Sequence, residues 1–196
     1  VDVPRQNRDI AFLSENLPPA PKSPSLSIGL SLDGSVIEAR LNNPDTCHFL
    51  VGGTTGSGKS TFLHSLITSA VTRYTPDQLQ LALIDPKRVE FGAWKRIPHL
   101  AKLPGWGRKV AYTDSDAVEL YQALLDEQSR RYDLFEAAGV PDIDGYNAQV
   151  SKPLPRILSV CDEYYMVASG DCQEPLEDAI KCLGSMAACS REEPSP

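Results

Sequence analysis

Apolar and polar positions change rhythm along this chain, and each change marks an element. The runs "LSIGLSL" and "VIEARL" flank Asp33-Gly34, a dipeptide suited to a tight turn, and predict a β-hairpin over 26–41. In "STFLHSLITSAVTRY" (60–74), Phe62, Leu63, Leu66, Ile67 and Ala70 recur at helical spacing. The short apolar runs "HFLVG" (48–52), "LQLALID" (79–85), "KVAYT" (109–113) and "RILSVCDE" (156–163) read as buried strands. A long helix is expected from Asp114, as its cap, to about Gly139, with an apolar stripe of Val118, Tyr121, Leu125, Tyr132 and Phe135. Strand, loop and helix in alternation imply an α/β fold, a mostly parallel sheet flanked by helices, preceded by the hairpin. Ahead of it, "SENLPPAPKSPS" carries Pro18, Pro19, Pro21 and Pro24, which fix φ and remove donors, so residues 1–25 are expected to form an extended connector.

Composition narrows the class. The chain has 196 residues, enough to bury the core of one α/β domain. With 41% hydrophobic and 23% charged residues and no apolar run near the ~18 needed to cross a bilayer, the expectation is a cytoplasmic protein without a membrane span. Nothing at Val1 reads as a secretory signal. Cys47, Cys161, Cys172, Cys182 and Cys189 include no C-x-x-C pair, which argues against a disulfide frame or a zinc site. A net charge of -7 argues against a free-standing nucleic-acid-binding domain, though not against a local basic surface.

The candidate chemistry sits where a predicted strand meets a predicted helix. Gly53-Thr54-Thr55-Gly56-Ser57-Gly58-Lys59-Ser60 has the spacing G-x-x-x-x-G-K-[ST]. Its glycines let main-chain N–H groups, from Gly53 to Thr61, turn toward a phosphate at the positive end of the following helix. Lys59 is placed to reach the β- and γ-phosphates of ATP, and the Ser60 hydroxyl to bind Mg²⁺. Such a site needs an acid on a neighbouring strand. "ILSVCDE" is the apolar strand that ends in paired acids, which makes Asp162 the magnesium partner and Glu163 the general base. Other polar residues take structural readings: Asp85 as a cap, Lys87 and Arg88 as surface charges, His99 as structural, and Arg130 and Arg131 in helix-face ion pairs. The acids of "TDSDAVELYQALLDEQ" read as a solvated face.

"HFLVGGTTGSGKSTFLHSLI", "LALIDPKRVEFGAWKRIPHL", "LLDEQSRRYDLFEAAGVPDIDGYN" and "ILSVCDEYY", in that order, resemble the motor domain of FtsK/SpoIIIE DNA translocases. The resemblance implies a RecA-like P-loop NTPase over 26–187, ATP-driven movement along double-stranded DNA, and a hexameric ring with active sites at subunit interfaces. It also implies that the "IDPKRVEF" loop lies near the site or the ring interface, leaves an interface role open for Arg130 and Arg131, and implies, for longer relatives, a membrane anchor and a small DNA-reading module. The match stops near Ala187, where the family continues into a further strand and an arginine offered to the neighbouring subunit. Here the chain reads "ACSREEPSP", with Ala188 in the arginine's place, which points to a truncation or frame change and an atypical tail at 188–196. The alternatives are a type VII secretion-type motor, which shares the fold but moves polypeptides, and a nucleotide-binding remnant without full activity.

Overall fold

The structure, a computed structural model, describes residues 13–20, 24–43 and 48–168. The chain divides into two compact units, Val1–Arg73 and Tyr74–Pro196. The tail at 188–196, with Ala188, and all of the cysteines except Cys161 lie outside the described residues.

In the first unit, a single helical turn, α1 (Leu13–Asn16), stands within the segment expected to be extended. The hairpin forms as its sequence predicts: β1 (Ser25–Leu30) pairs antiparallel with β2 (Val36–Arg40), with a register shift between Ser27 and Gly29. Its turn is closed by Gly34 N–H donating to the Ser31 carbonyl (3.0 Å). Asp33 Oδ1 accepts from the Ser35 N–H (2.9 Å) and hydroxyl (2.7 Å), which hold this carboxyl below the usual carboxylate range. Helix α2 (Lys59–Arg73) buries Leu63, Leu66, Ile67 and Ala70, four positions of the predicted stripe. Arg73, in its last turn, favours the negative helix end and binds the hairpin at several points. Its guanidinium pairs with Glu38 (2.7 Å) and donates to the Ser25 carbonyl (3.3 Å) and the Ser27 hydroxyl (3.2 Å). The Ser69 hydroxyl adds a tie by accepting from Ser27 N–H (3.3 Å).

No strand forms at 48–52, contrary to the expectation from its apolar run. Phe49, Leu50 and Val51 are 45%, 93% and 38% exposed. Apolar composition makes a segment able to pair but supplies no ladder, and these residues join none.

The second unit is built on β3 (Leu79–Ile84) and β4 (Arg156–Cys161), parallel and in continuous register from Leu79↔Arg156 to Ile84↔Cys161. Five of the six β3 side chains are buried, as expected of a strand covered on both faces. Further β3 contacts are single parallel bridges: Leu81 with Leu100, and Ile84 with Ala111. The strand expected at 109–113 is therefore reduced to one bridge, with Ala111 N–H donating to Leu83 and its carbonyl accepting from Asp85 N–H, both at 2.9 Å. Thr113 caps the next helix and turns the chain away before a ladder can extend.

That helix, α3 (Asp114–Ala138), begins one residue from the expected cap. The Thr113 hydroxyl accepts from Asp116 N–H (3.1 Å), and Asp114 is the first helical residue. Gly139 ends it at φ 65, as the sequence predicts. The buried face runs through Ala117, Leu120, Tyr121, Leu124, Glu127 and Phe135. Val118, Leu125 and Tyr132 of the predicted stripe are only half-buried. The two alanines at 117 and 123 let α3 pack closely on a core that includes Ala82, Ile84, Leu103, Trp106 and Val167. Among the described residues the unit also holds a short 3-10 turn at Phe91–Trp94 and two short α-helices, α4 (Ile143–Gln149), capped by Asp142, and α5 (Tyr164–Ala168).

Candidate functional site

The glycine-rich segment lies in the first unit and runs directly into α2. Ser57 N–H donates to the Thr54 carbonyl (3.0 Å), and the Gly58 carbonyl accepts from Phe62 N–H (2.9 Å), so a tight turn passes straight into the first helical turn. Residues 53–58 are exposed. Gly56 and Gly58 take φ of 80° and 96°. A Cβ on Gly53 would collide with the Ser57 hydroxyl. The loop is an exposed turn that a side chain at Gly53 would crowd and one at Gly56 or Gly58 would strain. Lys59 is the first residue of α2, followed by Ser60 and Thr61, at the helix end where main-chain N–H groups point outward and the dipole is positive. An anionic, phosphate-sized group fits this chemistry. Beside it opens a cavity of ≈ 400 Å³ whose lining includes Gly58, Thr61, Phe62, Ile28, Leu30 and Val36.

The acidic pair lies in the second unit, immediately after β4. Asp162 is 4% exposed, and its N–H donates to the Ile84 carbonyl (3.0 Å), carrying the ladder one residue past Cys161. Glu163 follows at φ 49, an uncommon conformation for a residue with a side chain. Its Oε1 is 3.1 Å from Lys87 Nζ, with the two side chains 32% and 48% exposed. Lys87 is an exposed charge, as its sequence suggests, and it is paired with this acid. Asp85, fully buried, organises the turn that carries it: Oδ1 accepts from Val89 N–H (3.3 Å), Oδ2 from Phe91 N–H (2.9 Å), and its carbonyl from Arg88 N–H (3.0 Å). Arg88 sits at φ 58 with its guanidinium 5.5 Å from the centre of the Tyr112 ring.

The start of β4 is anchored equally firmly. Glu127, at 8% exposure, accepts from Arg130 Nε (2.7 Å) and Nη2 (2.8 Å) and from Arg131 Nε (2.7 Å). Burial opposes its ionisation, but these bonds outweigh burial and hold the carboxyl below its ordinary value. Arg131 then donates Nη1 to the Pro155 carbonyl (2.8 Å). Asn147 grips the same stretch with both ends of its amide, donating to Leu154 O (2.9 Å) and accepting from Leu154 N–H (2.8 Å). Arg156 pairs with Asp144 at 2.7 Å. Helix-face pairing is expected for both arginines, and it occurs; that the shared acid is buried corrects the reading of this region as a wholly solvated face. His99 is buried, with Nε2 at 2.7 Å from the Tyr74 carbonyl, a structural contact.

The sequence does not single out Lys87 or Glu127 for these roles. The signal available for Lys87 is register: if 79–85 and 156–163 pair in parallel, the "DPK" and "DE" segments leave the sheet at the same end. For Glu127 no local signal exists. Among the described residues no three His, Cys, Asp or Glu side chains gather into a metal-holding group.

The profile of the FtsK/SpoIIIE family matches residues 18–187. The chain is 36% identical over 205 aligned residues to the DNA translocase FtsK of Halalkalibacterium halodurans, covering 95% of this chain and 24% of that protein. It is 34% identical to the DNA translocase SpoIIIE of Bacillus subtilis, covering 83% and 21%. It spans about a quarter or less of these relatives' length. Among solved structures, the cytoplasmic domain of the type VII secretion ATPase EccC of Thermomonospora curvata superimposes with a TM-score of 0.70 at 21% identity, over 92% of this chain and 22% of that one. At that identity the likeness shows the shared α/β, P-loop ATPase fold.

Proposed function

Because this chain belongs to the FtsK/SpoIIIE family, we propose that it is the ATP-binding motor portion of a double-stranded DNA translocase, working within a ring of six subunits, with residues 26–187 as its ATPase domain. The observation that carries the reading is the exposed glycine-rich turn from Gly53 to Gly58 running into a helix whose first residue is Lys59.

In this reading the N–H groups of Gly53, Thr54, Thr55, Gly56, Ser57, Gly58, Lys59, Ser60 and Thr61 hold the phosphates of ATP, and the cavity beside Gly58 and Thr61 receives the base. Lys59 binds the β- and γ-phosphates. Ser60 and Asp162 hold Mg²⁺, which, when bound with the nucleotide, neutralises charge on the phosphate oxygens. No protein cage is required for this, since phosphate and water supply the remaining oxygens. Glu163 accepts the proton of the attacking water. The register of β4 with β3, and the Arg131–Pro155 contact at the start of β4, support this reading by anchoring the strand that leads to Glu163. No helix among the described residues is long and apolar enough to cross a membrane.

Calorimetry with ATP and Mg²⁺ tests the reading. Replacing Lys59 by Ala removes a charge-assisted contact of about 1.5–3 kcal/mol, roughly a 10- to 150-fold loss of affinity. Equal affinity in both proteins would sink the assignment. Glu163→Gln is expected to keep binding and slow turnover by ~10²–10⁴-fold. Stimulation of turnover by duplex DNA, and not by a secretion-signal peptide, separates a DNA motor from a polypeptide motor of the same fold.

A further inference from the structure

We propose that Lys87 is a positioning residue for Glu163, an ammonium on the turn after β3 that fixes the carboxylate placed after β4; this rests on Glu163 being the base assigned above. β3 and β4 run parallel and in register up to Ile84↔Cys161, so the turn after β3 and the acidic pair leave the sheet at the same end. The ends of parallel strands on that side are where open α/β sheets place their chemistry. The two contacting residues are each tied to a shaped backbone. Asp85 folds residues 86–90 back on themselves by binding Val89 and Phe91 N–H, and Arg88 beside Lys87 takes φ 58. Glu163, at φ 49, leads into α5, with its carbonyl accepting from Met166 N–H at 2.9 Å. The 3.1 Å contact of Lys87 Nζ with Glu163 Oε1 joins these two turns through their side chains.

A pair this exposed adds little to folding stability, so its consequence is orientation. General bases are commonly held by a third group that sets their direction, and a compact ammonium does this for a carboxylate as a point charge.

The experiment has two arms on the intact chain. In the first, the acylation rate of Lys87 by an N-hydroxysuccinimide ester is followed by mass spectrometry, with Lys102 as internal reference. Removing the carboxylate's charge in Glu163→Gln should speed Lys87 labelling about two- to fivefold relative to Lys102, the range of a half-exposed ion pair. An unchanged ratio overturns the proposal, and this arm does not depend on turnover. In the second arm, Lys87→Met should lower kcat for ATP by roughly two- to fivefold with nucleotide affinity unchanged, Lys87→Arg should recover part of the loss, and Lys87→Met should add nothing in the Glu163→Gln background. Overturning results are an unchanged kcat, a loss of affinity equal to the loss of kcat, or the same decrement in both backgrounds. If Glu163→Gln itself leaves turnover intact, the base assignment fails, while the labelling ratio still reports whether the pair exists.

Discussion

Single residues in the glycine-rich loop separate into those that need a missing side chain for space and those that need it for backbone conformation. Gly53 is the first kind, since a Cβ there meets the Ser57 hydroxyl, and Gly58, at φ 96, is the second. Gly52 is neither, with open space where a Cβ would stand and no left-handed φ. We expect Gly58→Ala to raise the energy of the loop conformation by about 1–3 kcal/mol and to weaken ATP binding on the order of tenfold or more, with the helical circular dichroism unchanged. Gly52→Ala, measured in the same titration, should bind like the parent. The spacing of this motif is fully legible in the sequence; which glycine serves which purpose is not, because that depends on where Ser57 folds back. Glu127 shows the opposite limit. An acid between Asp126 and Gln128 looks like any solvated helix position, and nothing local marks it as the buried carboxylate that Arg130 and Arg131 share.

At the level of elements, the decisive feature is how the start of β4 is held. Asn147 satisfies both main-chain groups of Leu154, so Asn147→Ala leaves a donor and an acceptor without this partner and should cost about 1–3 kcal/mol in denaturant unfolding. The segments "RRY" and "GYN", which carry family resemblance by their order, have physical roles here. Arg131 and Asn147 grip the strand's entry, and Tyr146 packs at 5.6 Å on Phe135 of α3. The hairpin, α2, β3, β4 and the length of α3 are readable because turn chemistry and periodicity act locally. The segments 48–52 and 109–113 are not, since an apolar run records what a strand tolerates and not whether a neighbour reaches it. The cap of α3 differs by one residue from expectation because Thr113, Asp114, Ser115 and Asp116 all have capping side chains, and the hydrogen bond to Asp116 N–H selects Thr113.

For the molecule as a whole, pH is the most direct probe of these ion pairs. Glu127 and Asp116 are both partly buried, which by itself favours their neutral forms. In each, hydrogen bonds prevail, from Arg130 and Arg131 for Glu127 and from Lys109, Tyr112 N–H and Thr113 for Asp116, and both carboxyls are held below their ordinary values. A depressed folded-state value means stability that is present above the unfolded value, near pH 4, and is lost as pH falls through the folded one. Urea unfolding should therefore give a flat stability from about pH 7 to 5 and a decline below about pH 4. Glu127→Gln should lower the neutral plateau by about 1.5–3 kcal/mol and reduce that acid slope. A slope unchanged by the substitution would show that Glu127 does not titrate with folding. The parallel pairing of β3 with β4 carries one more consequence, for the chain during its manufacture. Leu79 has to wait for Arg156 to leave the ribosome, a delay of roughly 4–15 s at ~5–20 residues per second, and through that interval the apolar "LQLALI" edge lacks its long-range partner. Closing so distant a contact also makes assembly of this sheet slow relative to α2 or the hairpin. The nascent chain is thus most open to chaperone capture, or to misassociation with its neighbours on a polysome, just before β4 emerges.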